Sequence, residues 1–207
     1  NHPYFLAHII FTSTTKFTIQ THSTVKYFSN ILALSFFLFS AILSPAQYTH
    51  QDTLRGSITP ARAWWDVLRY DISVEPDYHN KTITGISKIQ FKVLKAGNLM
   101  QIDLQEPLII DSIHLFNFED KNDQTTGSWN RVKDFKREGN IYLVTTINYK
   151  PGTVNYIYFY YHGKPREAIN APWEGGWIWA KDEKGRPWMT VACQGLGASV
   201  WYPCKDH

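Results

Sequence analysis

Hydrophobic and polar positions alternate with a period of two along most of the chain beyond residue 65, and no segment sustains the spacing of an amphipathic helix. Between Asp66 and Glu75, Leu68, Tyr70, Ile72 and Val74 fall on one side and Arg69, Asp71, Ser73 and Glu75 on the other, which predicts a half-buried strand. Turn residues fill 76–81, and beyond them Ile83, Ile89, Phe91 and Val93 alternate with Lys88, Gln90 and Lys92, predicting an antiparallel partner. Met100, Ile102 and Leu104 alternate with Gln101, Asp103 and Gln105, and the pattern resumes from Leu108 to Phe118. Ile141, Leu143, Thr145, Ile147 and Tyr149 mark a further strand. Asn155 to Tyr161 is apolar or aromatic on both faces, as expected of a strand covered on both sides.

After Gly163 the texture changes to a long loop, 164–176, which contains Pro165, Pro172 and Gly175-Gly176; loops of this length usually carry function. Trp177-Ile178-Trp179 and Trp188-Met189-Thr190-Val191 then flank the charged turn 181–187, the pattern of a hairpin. Short strands, turn signals and no helix predict an all-β fold, an antiparallel β-sandwich, over residues 63–207.

The N-terminal part differs. An uncharged apolar run, 31–43, follows Lys26 and precedes Ser44-Pro45-Ala46, which predicts a secretory signal peptide over 25–46 cleaved after Ala46. The run falls short of the ~20 residues that span a bilayer, so membrane contact is expected only during export, and the expected location is periplasmic or extracellular. Residues 47–62 read as a linker. Because the first methionine is Met100, residues 1–24 read as an untranslated or disordered extension.

Composition adds 12 Tyr, 12 Phe and 8 Trp, an aromatic load that suits strands and concave binding surfaces. The net charge of +3 is small and the basic residues are interspersed with acids, which argues against nucleic acid as a partner. Cys193 and Cys204, the two cysteines, leave a single disulfide open as an option.

Among the eight histidines no two stand four residues apart as a His-Glu-x-x-His zinc site requires, so no metal ligand is expected in this chain. No Gly-x-Ser-x-Gly elbow occurs, and Gly195-Leu196-Gly197-Ala198-Ser199 lacks the following helix that would aim at a phosphate. Two features remain. Trp173, Trp177 and Trp179, with Trp188, either line a pocket or staple the loop to the sandwich. Gln194, with Gly195 behind it, offers an amide either to a ligand or to nearby backbone.

Tyr70-Asp71-Ile72-Ser73-Val74-Glu75-Pro76-Asp77, Thr84-Gly85 leading to Ile89-Gln90-Phe91, Trp173-Glu174-Gly175-Gly176-Trp177-Ile178-Trp179, and Cys193-Gln194 through Trp201-Tyr202-Pro203-Cys204-Lys205-Asp206 carry a family resemblance. Over 61–207 the chain resembles the N-terminal domain of the aminopeptidase N zinc metallopeptidases, in their bacterial branch. The resemblance implies that a thermolysin-like catalytic domain, with its Gly-x-Met-Glu-Asn-type and His-Glu-x-x-His motifs, follows in the parent protein; neither motif is present in this chain. It implies that zinc is bound outside these residues and none by them, and that Gln194, with Gly195, is the rim group that helps bind the α-amino group of a peptide substrate. Ser199 stands where many members carry arginine. Two functions follow: the rim domain of an exported zinc aminopeptidase, with no bond cleavage by this chain alone, or a secreted non-catalytic module whose Trp173, Trp177 and Trp179 bind carbohydrate or peptide.

Overall fold

The computed structural model describes residues 50, 54–118 and 127–207; the expected extension 1–24 and the expected signal peptide 25–46 lie outside them. A four-residue helix, α1 (Pro60–Ala63), leads into β1 (Trp65–Asp77), which pairs antiparallel with β2 (Thr82–Val93). Tyr70 faces Ile89 and Val74 faces Gly85 across this ladder, so the predicted pairing is present. The predicted face of β1 is incomplete, because a bulge between Val67 and Arg69 breaks the alternation and turns Leu68 out to solvent.

The remaining strands are β3 (Leu99–Asp103), β4 (Ile109–Phe118), β5 (Gly127–Arg131), β6 (Phe135–Glu138), β7 (Ile141–Thr145), β8 (Val154–Gly163), β9 (Gly176–Lys181) and β10 (Pro187–Ala192). They form a five-stranded sheet in the order β1-β2-β8-β4-β5, a three-stranded sheet in the order β3-β7-β6, and the hairpin β9-β10, all antiparallel. One core joins the layers. Ile89, Phe91, Ile113 and Phe159 from the large sheet meet Met100, Ile102 and Val144 from the small one, while Trp64 stacks on Tyr149 at 6.1 Å. This is the antiparallel β-sandwich that the alternation predicts.

Three expectations change. In β7 the predicted alternation gives way: Ile141, Tyr142 and Val144 are all buried, with Tyr142 and Val144 facing Ile102 and Met100 across the ladder, while the strand stops at Thr145 and Ile147 is exposed. Strand β8 is covered on one face only: Asn155, Ile157, Phe159 and Tyr161 are buried, whereas Tyr160 is exposed and Tyr156 and Tyr158 are half-buried. Its outward rings carry polar hydroxyl tips, so an all-aromatic strand tolerates a wet face. The end of the expected linker, 54–62, packs into the sandwich: Arg62 on α1 is completely buried and its guanidinium reaches the carbonyls of Leu54 at 2.8 Å and Ser57 at 2.7 Å.

Candidate functional site

The C-terminal strip 190–207 begins as β10, which hands the chain to a tight turn at 194–196. The N–H groups of Leu196 and Gly197 both donate to the Cys193 carbonyl at 3.0 Å, closing the turn. Gln194 and Gly195 sit exposed at its tip, with no hydrogen-bond partner for the Gln194 amide among the described residues. Gly195 adopts φ +68° and Gly197 φ +81°, values that side-chain-bearing residues rarely take. At Gly197 there is also no room, since a Cβ would lie 2.0 Å from Asp206 Oδ2.

Beneath the turn runs a buried polar network. Arg62 donates to Asp103 Oδ1, and Asp103 Oδ2 accepts the Asp206 backbone N–H at 2.9 Å. Ser199 Oγ donates to Asp206 Oδ2 at 2.6 Å. Gln105 Nε2 donates to Ser199 Oγ at 2.9 Å and to the Leu196 carbonyl at 2.6 Å, and the Gln105 N–H donates to the Ser199 carbonyl at 2.9 Å. Arg55 donates to the Gly195 carbonyl. The strip is thereby joined to β3, and a two-way backbone bridge between Asp103 and Cys204, at 2.8 and 3.0 Å, completes the joint. A cavity of about 130 Å³ lies between the polar side chains of Arg55, Asp103, Gln105, Asn140, Ser199 and Asp206 and the apolar ones of Leu54 and Ile141.

Loss of hydration on burial pushes the Asp103 carboxyl up to about 6, and the Arg62 guanidinium only partly offsets this. Burial also holds the Cys204 thiol well above its usual range and raises that of Cys193. Both cysteines are unbridged, and raised thiols are poor nucleophiles. Lys205 folds back, its Nζ donating to the Trp65 carbonyl at 2.6 Å and lying 4.6 Å from the Trp65 ring centre.

The tryptophans divide. Trp177 is 6% exposed and packs at 5.4 Å from Trp179 and 6.2 Å from Trp201, while Trp179 meets Tyr78 at 6.1 Å. Both indole N–H groups are buried without an acceptor among the described residues, so apolar burial holds this pair. Trp173, in contrast, is 71% exposed at the tip of the loop 164–176, and Trp188 is exposed on the other face of the hairpin. Trp177 and Trp179 thus staple the hairpin to the core, and Trp173 stands apart from them in exposure. Gly176 allows the close approach, since a Cβ there would lie 2.4 Å from the Arg166 carbonyl oxygen.

Among the described residues no three His, Cys, Asp or Glu side chains converge on a point. The described residues do not fit a zinc ion. Sequence reasoning found the exposed Gln194 turn but missed Arg62, Asp103, Gln105 and Asp206, which fix it. In the sequence Asp103 stands with Gln101 on the polar side of an alternating strand, and its partner lies 41 residues upstream.

A two-layer antiparallel sandwich with a buried ion pair under a C-terminal turn defines the structural class. Among solved structures, a two-domain M1 zinc metallopeptidase bound to L-arginine superposes with a TM-score of 0.52 at 17% identity, covering 74% of this chain and 31% of that one. A two-domain M1 zinc metallopeptidase bound to L-tryptophan gives 0.50 at 17% identity, covering 69% and 30%. Native leukotriene A4 hydrolase from Saccharomyces cerevisiae gives 0.48 at 15% identity, covering 78% and 24%. The chain thus has the fold of the N-terminal domain of M1 aminopeptidases and spans about 31% of the length of the first of these structures. No protein-family model and no curated protein sequence matches it.

Proposed function

We propose that this chain is the substrate-rim domain of an exported zinc aminopeptidase that removes N-terminal residues from peptides, with the zinc centre and bond cleavage located outside these residues. The observation that carries the reading is the fastened turn at 194–196: Gln194 is exposed, while the backbone behind it is held through the carbonyls of Cys193, Gly195 and Leu196. A primary amide offers an oxygen acceptor to a substrate ammonium, and a backbone already fixed loses little freedom when the ligand arrives. The fold likeness to M1 metallopeptidases and the signal-peptide pattern at 25–46 support the same reading.

In the full-length enzyme, Gln194→Ala lowers kcat/KM for aminoacyl substrates about tenfold to a hundredfold, the range of a hydrogen bond to a charged group. Steady-state kinetics with kcat and KM both unchanged would remove the amine-anchoring role. Reading the coding frame past His207 is a separate check: a downstream His-Glu-x-x-His supports the enzyme, and an immediate stop codon refutes it.

A further inference from the structure

The outer face of the five-stranded sheet exposes Arg69, Trp129, Arg131 and Tyr160, and the ladder register sorts its side chains into rows that run across the strands. Arg69, Gln90, Tyr156, Phe116 and Trp129 form one row, and Asp71, Lys88, Tyr158, His114 and Arg131 form the next. Ser73, Ile86, Tyr160 and Ser112 follow as an uncharged row. Beyond it lie Glu75, Thr84 and His162, with Asp111 set out beside His162 by a bulge in β4.

Charge is therefore segregated along the strands. The first two rows hold Arg69, Lys88 and Arg131 against Asp71 alone. Arg69 and Lys88 share that carboxylate at 2.6 and 3.8 Å, Lys88 also lies 4.8 Å from the Tyr156 ring centre, and Arg131 has no ion pair among the described residues. On the far side of the uncharged row Glu75 has no ion pair among the described residues either, and Asp111 meets His162 at 2.7 Å. Outside these rows Asp66 faces Lys92 at one end, while at the other Asp77 ends β1 and Lys164 follows β8, one charge of each sign. One half of the face is positive, the other negative, and the row between them is neutral.

That middle row has shape as well. Tyr160 stands 37% exposed beside a hollow of about 270 Å³ whose floor is largely Gly85, Ile86 and Tyr161. A polyanion or a polycation would match only one half of such a face. A second copy matches both, because a two-fold axis along the Tyr160 row, between two sheets packed face to face, lays each positive half on the other copy's negative half. The same axis carries Arg131 towards Asp111 and Lys88 towards Glu75, and sets each Tyr160 ring against the other copy's hollow. Five strands about 4.8 Å apart, at about 3.3 Å per residue along the ten residues of β4 or β8, give a face of roughly 800 Å², the area that a stable complex buries on each partner.

We propose that this outer face is the interface of a homodimer in which two copies pack sheet against sheet with their strands antiparallel. The interface lies apart from the Gln194 turn and does not rest on the aminopeptidase reading.

The test is sedimentation equilibrium of the chain between about 1 and 200 µM, which resolves a monomer–dimer equilibrium with a Kd of about 10 µM or tighter. Tyr160→Ala and Arg131→Glu, each with an unchanged circular-dichroism spectrum, weaken association about tenfold or more. Asp111→Lys added to Arg131→Glu recovers most of that loss, since the pair is then restored with its signs exchanged. Trp173→Ala leaves the dimer intact. A chain that stays monomeric up to about 200 µM overturns the proposal. So does a dimer that neither Tyr160→Ala nor Arg131→Glu weakens, or one that Trp173→Ala abolishes.

Discussion

The C-terminal strip and the tryptophan loop both stand out in the sequence, yet they are held in opposite ways. Polar groups fix the strip through directed bonds, from Arg62 to Asp103, on to the Asp206 N–H, and from the Asp206 carboxylate to Ser199 and Gln105. The base of the loop is fixed by Trp177 and Trp179, whose N–H groups find no acceptor among the described residues, and its tip carries Trp173 into solvent. Directed bonds specify where a backbone sits; apolar burial specifies only that it is covered. The turn at 194–196 rests on the first kind of support.

The comparison breaks most clearly at Asp103. Asp103→Ala leaves Arg62 buried with no carboxylate and costs about 3 to 5 kcal/mol in urea denaturation, with earlier hydrogen exchange at 194–199. A loss below about 1 kcal/mol would mean that the ion pair does not hold the strip.

A titration sharpens the same point. The folded-state value for Asp103 is raised from 3.8 to about 6, chiefly by desolvation, so the folded protein binds the proton more tightly than the unfolded chain. The stabilisation from this proton is complete below the unfolded value and disappears as pH rises through about 6. Relative to Asp103→Asn, the unmodified chain therefore gains up to about 3 kcal/mol between pH 7 and pH 4. A flat difference across that window would place the carboxyl in its ordinary range. The smallest effect belongs to the loop tip, where Trp173→Ser changes stability by about 0.5 kcal/mol or less in the same assay.

How much of this was legible depends on the range of the interaction. The β1-β2 ladder and the β9-β10 hairpin follow from alternation and turn chemistry within a few residues. Strands β5 and β6 escaped detection because they are short and largely polar, and β5 forms one edge of its sheet. Gln101 and Asp103 read as the wet side of β3, yet both are buried. Thr59 donates to Gln101 at 2.8 Å and Arg62 to Asp103, both from a stretch that local pattern marks as a connector. Periodicity reports which side of a strand is polar, and says nothing about whether a distant cation will come to meet it. The Gln194 turn was visible from its glycines; the network beneath it was not.

The order of the large sheet bears on how the chain is made. Strand β2 pairs with β8, so Ile89 meets Ile157 across a separation of roughly 70 residues, and the sheet cannot close until β8 has emerged from the ribosome. Until then the β1-β2 hairpin presents one long strand whose ladder groups lack their second partner, next to Phe91 and Ile89, which are later wholly buried. Pairings of such long sequence separation predict slow folding for a domain of this size, and the interval before β8 arrives is when that edge is open to pairing with other chains.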